Sequence, residues 1–162
     1  MCPTLFTIRR DGPGHLSTMA RPLGGDQLAG QMRDLAAAGV GILVSMLSDA
    51  EMAELGLTEE SSCATAAGIA FRRLPTPDFD VPDRSAALAL AADLASRLRD
   101  GAGVAVHCRG GIGRSSVLAA AILILEGVGS ADAMDRISAA RGMAVPETAA
   151  QRAFIGSLDS TR

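Results

Sequence analysis

Segments of strand length alternate with segments of helical spacing along the chain, and this predicts an α/β three-layer sandwich: a central, mostly parallel sheet flanked by helices. Two runs carry the expectation. Residues 40–46 and 103–107 are continuous apolar stretches of strand length, with no polar alternate face, as strands covered on both sides have. Between and after them, apolar residues recur at three- and four-residue spacing, bounded by glycines, prolines and acidic caps.

Residues 5–9 and 15–19 read as two short strands joined by the turn Asp11-Gly12-Pro13-Gly14. A helix over 26–38 carries Leu28, Met32 and Leu35 on one stripe, and Gly39 closes it. After the strand 40–46, Ser48 and Glu51 form a capping box that opens a short helix ending near Gly56. A helix over 59–67 and a strand over 69–74 follow, the strand stopped by Pro75. Residues 75–82, Pro-Thr-Pro-Asp-Phe-Asp-Val-Pro, hold three prolines and two aspartates and form a shaped loop. Asp83 caps a helix whose stripe is Ala87, Leu90, Ala91, Leu94 and Leu98, ended by Asp100-Gly101. Beyond the strand 103–107 and the glycine-rich segment 108–115, a nearly all-apolar helix over 116–125 must be buried on most sides. Helices over 130–140 and 146–158 complete the pattern.

Composition narrows the function. With 162 residues against about 150 per domain, one domain over 1–162 is expected, with short flexible ends. A hydrophobic share of 48% and a charged share of 20% exclude disorder as the main state. Four Phe with no Trp or Tyr leave almost nothing for base stacking, and a net charge of −3 opposes a general affinity for nucleic acid or anionic membrane. The chain has no Lys and no Asn, which removes Schiff-base and Walker-type chemistry and N-glycosylation. Three irregularly spaced cysteines, Cys2, Cys63 and Cys108, are not a disulfide framework and suit a reducing compartment. Without a secretory leader or a run long enough to span a bilayer, a cytoplasmic monomer is expected. With His15 and His107 the only histidines, no metal site and no cofactor are expected.

The chemistry concentrates in His107-Cys108-Arg109-Gly110-Gly111-Ile112-Gly113-Arg114-Ser115-Ser116, between a buried strand and a buried helix. A loop leaving a strand and entering a helix aims backbone N–H groups at one point, where the helix dipole adds positive charge. Gly110, Gly111 and Gly113 permit the wrapping that side chains would obstruct. Arg114 adds a planar fork for two oxygens, six positions after Cys108. N–H groups, dipole and guanidinium together favour a thiolate over a thiol, which makes a cysteine at the base of such a cradle a nucleophile.

This His-Cys-x5-Arg-Ser pattern resembles the protein-tyrosine phosphatase superfamily. The Asp-bearing loop upstream and the terminal Pro-Glu-Thr-Ala-Ala-Gln-Arg-Ala-Phe-Ile make it similar to the dual-specificity, kinase-associated branch over about residues 5–158. The resemblance implies a phosphatase fold and a phosphomonoester hydrolase acting on phosphoprotein through a cysteinyl-phosphate. It implies Cys108 as nucleophile, phosphate held by Arg109, Gly110, Gly111, Ile112, Gly113 and Arg114, and His107 ordering the loop. Ser115 then assists departure of the sulfur. The family's general acid lies about thirty residues upstream; Asp78 is thirty positions before Cys108, with Asp80 the alternate and Asp83 better suited to capping. Gln151 matches a glutamine of the terminal pattern that positions water, although packing or capping would explain it as well.

Blander readings apply elsewhere. Cys2 and Cys63 are small hydrophobes. His107 and Cys108 are strand neighbours pointing to opposite faces, so a Cys-His dyad is not expected. His15 is a surface or structural residue. Ser115 also fits a helix N-cap, Ser116 fits capping or packing, and Arg109, Arg72 and Arg73 fit solvated side chains as readily as a cleft. Competing functions are a rhodanese-like sulfurtransferase, whose reactive loop is shorter, and a catalytically silent phosphate-binding module.

Overall fold

Residues 1–161 are described by a computed structural model; Arg162, the last residue of the expected domain, lies outside them. Five strands form one sheet in the order β1-β2-β5-β3-β4, comprising β1 (Phe6–Thr7), β2 (His15–Met19), β3 (Ile42–Ser45), β4 (Ala70–Arg73) and β5 (Gly103–His107). Only β1 runs antiparallel; the other pairings are parallel. The seven α-helices are α1 (Leu28–Ala37), α2 (Asp49–Glu54), α3 (Glu60–Ala66), α4 (Arg84–Arg99), α5 (Arg114–Leu125), α6 (Ser130–Arg141) and α7 (Ala149–Ser157). The expected three-layer sandwich is the observed architecture.

The strand period of two divides the core. Val44, Val104, Val106 and Leu16 face α4, α5, α6 and α7, whereas Leu43 and Ala105 face the side covered by α1 and α3. Helix α5 has eleven of its twelve residues buried, as its apolar run from Val117 onward requires. It packs against β2 and β5 on one side and against α4, α6 and α7 on the others. Its N-terminus is thereby fixed to the sheet at the end of β5.

Several boundaries differ from the sequence reading. The first strand shrinks to Phe6–Thr7; after it Ile8 N–H still donates to Leu16 O at 2.8 Å, and Arg10 pairs with Glu126 at 2.6 Å. The strand expected over 40–46 narrows to Ile42–Ser45, since Val40 N–H still donates to Leu35 O at the exit of α1. Helix α5 starts at Arg114, two residues early, with Gly113 as its N-cap. The last helix starts at Ala149 instead of 146, because Thr148 and Gln151 make a reciprocal capping box. The boxes at Ser48–Glu51 and the cap at Asp83, which accepts from Ala86 N–H at 2.9 Å, stand where the sequence puts them.

Candidate active site

Parallel pairing brings Met19, Ser45, Arg73 and His107, the C-terminal residues of four strands, to one edge of the sheet. The segments that leave those strands meet there, the usual place for a ligand in an open α/β sheet. The 108–113 loop lies centrally, on β5. Gly111 has φ of +71° and backs onto the end of β2: a Cβ would stand 2.7 Å from the Met19 carbonyl carbon and 2.8 Å from Ala20 N. At Gly113 a Cβ would meet Glu147 Oε1 at 2.7 Å and Gln151 Nε2 at 2.9 Å. Gly110 is different. Its Cβ would touch only the Ile112 side chain at 3.6 Å, so backbone alone demands glycine at Gly111, side-chain ends crowd Gly113, and Gly110 has room.

Cys108, at 3% exposure, lies at the base of this loop with Sγ 3.3 Å from Ser115 Oγ. Ser115 is therefore not the N-cap; it stands in the first turn of α5 with its hydroxyl turned to the sulfur. Ser116 donates its hydroxyl to Ile112 O at 2.6 Å, a packing bond. Ile112 is half-buried, and Arg109 is exposed, 3.5 Å from Glu54 and 4.0 Å from Glu51.

Arg114 is almost wholly buried. Its Nη1 donates to Glu51 Oε1 at 2.7 Å, to Thr76 O at 2.8 Å and to Met46 O at 3.4 Å, and its Nη2 donates to Glu51 Oε2 at 2.9 Å. Nη2 also lies 3.1 Å from Asp78 Oδ1. Its Nε is buried without a partner among the described residues, a state that costs about 1–3 kcal/mol unless a ligand oxygen accepts from it. Burial opposes the positive charge, but Glu51, Cys108 and Asp78 outweigh it and raise the guanidinium pKa above its ordinary value. The hydrogen bond from Arg114 in turn holds the Glu51 carboxyl down to about 2, against the opposing effect of burial.

The two loop aspartates are placed differently. Asp78 faces Arg114 and accepts from Phe79 N–H at 3.0 Å, while Asp80 turns its carboxylate to Val81 N–H at 2.7 Å. Phe79, between them, sits at φ of +63°, a region a bulky residue rarely adopts. Two contacts hold the loop to the start of α7: Gln151 Nε2 donates to Asp80 O at 3.2 Å and Thr148 Oγ1 to Phe79 O at 3.5 Å. Gln151 is fully buried, and it thus touches both the acidic loop and the helix cap, with Gly113 beside it.

His107 makes no bond to the Cys108 sulfur. Its Nδ1 lies 3.0 Å from Cys108 O, and a carbonyl only accepts, so Nδ1 carries a proton. Its Nε2 lies 2.5 Å from Glu60 Oε1, with both side chains fully buried. Glu51 and Glu60 are the site residues that sequence reasoning missed. Glu51 was legible only as the third residue of a capping box, a role it keeps while also clamping Arg114. Glu60 gave no local signal, because its partner lies 47 positions away. Arg73 binds Asp49 and Leu47 O, joining β4 to α2, and His15 is exposed at the opposite edge of the sheet.

A family described as "Polymorphic toxin system, DSP-PTPase phosphatase" matches residues 17–128, which is more than half of the chain and includes the whole loop and both aspartates. The chain belongs to this phosphatase family. Rat cyclin-dependent kinase inhibitor 3 is 29% identical over 90 residues, covering 54% of this chain and 42% of that protein, so the match spans less than half of the relative's length. Among solved structures, a kinase-associated phosphatase with its catalytic-site cysteine changed to serine superposes with a TM-score of 0.89 at 18% identity, over 99% of this chain and 96% of that one. PTPMT1 gives 0.77 at 23% identity, covering 96% and 94%, and a human DUSP28 variant gives 0.69 at 24% with the same coverage. These show the dual-specificity phosphatase fold. The family sets aside the sulfurtransferase alternative. Among the described residues, no group of three His, Cys, Asp or Glu is placed to hold a metal, and no helix is long and apolar enough to cross a membrane.

Proposed function

We propose that the chain hydrolyses phosphomonoesters on proteins, phosphotyrosine and also phosphoserine or phosphothreonine, with Cys108 as nucleophile. The observation that carries the reading is Arg114: a buried guanidinium clamped by Glu51, with an unpartnered Nε, in the first turn of the helix that follows the cysteine. The phosphate lies in the loop 109–113, bound by backbone N–H groups and by the Arg114 fork. The Cys108 thiolate attacks phosphorus, an S–P bond forms, and the bond to the leaving oxygen breaks while Asp78 gives that oxygen its proton. Water then attacks the cysteinyl-phosphate and Asp78 takes a proton from it. The S–P bond breaks, and the Ser115 hydroxyl, 3.3 Å from the sulfur, donates to the departing thiolate.

Asp78 is favoured over Asp80 because its carboxylate faces Arg114, whereas that of Asp80 serves its own turn. His107 orders the loop through the Cys108 carbonyl, and Glu60 fixes the imidazole. We read residues 1–162 as one catalytic domain, a monomer of the cytoplasm requiring no cofactor, and its three free thiols fit that compartment. The deciding experiment compares hydrolysis of an aryl phosphate by wild type and by Cys108→Ser, under reducing conditions without added metal. Turnover blocked by vanadate and lost in the serine variant is expected. A folded wild type without turnover overturns the reading in favour of a silent phosphate-binding module.

A further inference from the structure

His107 follows Ala105 by two positions and so faces α1 and α3, whereas Cys108 belongs to the cluster on the other side of the sheet. The ring spans two partners, the Cys108 carbonyl at 3.0 Å from Nδ1 and Glu60 Oε1 at 2.5 Å from Nε2. Neither side chain is exposed, and the second carboxylate oxygen, Glu60 Oε2, is buried without a partner.

These contacts fix a proton count. The carbonyl only accepts, so Nδ1 holds one proton. A bare Nε2 at 2.5 Å from a carboxylate oxygen would set lone pair against lone pair, so a second proton lies between Nε2 and Oε1. The pair therefore holds two protons and no net charge, either as imidazolium with carboxylate or as imidazole with carboxylic acid. Glu60 is the first residue of α3, where the helix dipole favours the carboxylate. No other counter-charge is at hand for the ring: its sheet neighbours Met19 and Ser45 are uncharged, and no other buried residue of α1 or α3 carries a charge. A cation on His107 depends on Glu60 alone, since a buried charge without its partner is expensive.

We propose that Glu60 is a positioning residue that keeps His107 an imidazolium, and that this buried cation holds the first carbonyl of the phosphate loop and favours the Cys108 thiolate. Nδ1 and Nε2 bond in different directions, so the ring lies between the loop and Glu60 and the pair presents its positive end to the loop. A charged donor makes a hydrogen bond roughly twice as strong as a neutral one, and an imidazolium beside a cysteine stabilises its thiolate. The proposal deepens the phosphatase reading, on which its consequence for turnover rests: a residue 48 positions before the nucleophile, on the other face of the sheet, governs how ready that nucleophile is.

The first test needs no variant of Glu60. With His15 and His107 the only histidines, nitrogen-15 NMR of the rings at pH 7.5 resolves both, and His107→Asn assigns them. Wild-type His107 is expected to show a proton on each ring nitrogen and imidazolium nitrogen shifts; an imidazole signature with one unprotonated nitrogen overturns the proposal. This spectrum decides even where a variant does not fold. The second test follows alkylation of Cys108 by iodoacetamide at pH 6.5, read by mass spectrometry of its peptide. Glu60→Gln is expected to lose the imidazolium signature, to slow this alkylation by about tenfold and to lower kcat/KM by a similar factor. Because Glu60 acts through the ring, adding Glu60→Gln to His107→Asn should change the alkylation rate by less than about twofold. An equal loss in both backgrounds overturns the proposal, as does a Glu60→Gln protein that alkylates at the wild-type rate. Failure of the phosphatase reading is separate: it appears as folded wild type inactive on an aryl phosphate, whereas the spectrum and the alkylation rate require no turnover.

Discussion

The loop proposed to hold phosphate and the loop proposed to supply the proton are built to opposite standards. Residues 108–114 are pinned from all sides: Arg114 by Glu51 and two carbonyls, Cys108 by Ser115, the Cys108 carbonyl by a His107 itself tied to Glu60, and Gly111 by the end of β2. Residues 77–80 are exposed. They attach to the body through one ion pair with Arg114 and two hydrogen bonds to the start of α7. In the proposed mechanism phosphate recognition is therefore prearranged, whereas the acid is held by a few contacts that a substrate can replace. In that mechanism Asp78 and the incoming phosphate both address Arg114, so binding of phosphate would compete with the contact that holds the acid in place.

Changes in the acidic loop should cost chemistry without cost to the fold. Asp78→Asn should lower kcat by about 10²–10⁴ for alkyl phosphates and much less for aryl phosphates with good leaving groups. Asp80→Asn should change kcat by less than about threefold. A larger effect at Asp80 than at Asp78 would reverse the assignment.

Changes in the phosphate loop should cost both. Arg114→Lys replaces a fork by a point charge and should lose about 10²–10³ in kcat/KM, since one developing charge loses its paired donors. Vanadate affinity should fall with it, whereas Asp78→Asn should leave that affinity unchanged or raised. Equal loss of vanadate affinity in the two variants would erase the distinction between the regions.

Glu51 tests the contrast by pH. Its carboxyl is depressed in the folded protein, from an ordinary value near 4.5 to about 2. Its contribution to stability is therefore fully present above about 4.5 and is lost as pH falls toward 2. Glu51→Gln should lower Tm at neutral pH, because it takes from the buried Arg114 cation its two-pronged carboxylate clamp and leaves only the more exposed Asp78 as a charged partner. It should also flatten the dependence of Tm on pH across that acidic window. An unchanged slope would mean that other carboxylates govern acid unfolding.

The smallest effect is expected at Phe79. Phe79→Gly relieves the positive φ, worth about 1 kcal/mol or somewhat more, but frees the unfolded chain, and the two should nearly cancel in Tm. The measurement that matters is the kcat for an alkyl phosphate, which should fall severalfold as the Asp78 carboxylate loses a fixed backbone. An unchanged kcat would show that the strained turn does not position the acid.

Adjacent residues carry most of what the sequence determined. Periodicity and turn residues set the order of strands and helices, the nearly all-apolar α5 announced its burial, and Ser48 and Asp83 marked helix starts, because each depends on neighbours within about one turn. The segment 107–115 was legible for the same reason: an anion cradle is a local device of one strand end, a few glycines and one helix N-terminus. Tertiary structure alone decided what the cradle is attached to. Glu51 reaches Arg114 across 63 positions, Glu60 reaches His107 across 47, and Gln151 reaches Asp80 across 71. It also separated Asp78 from Asp80, which differ by two positions and share the same loop chemistry, by turning only one toward the guanidinium. The capping boxes mark Glu51 and Gln151 only as helix starts and leave no trace of these distant partners, since a buried polar group is satisfied by whichever group the fold brings to it, and that group is chosen by the packing of β3, β5, α2, α3 and α7 around the sheet edge.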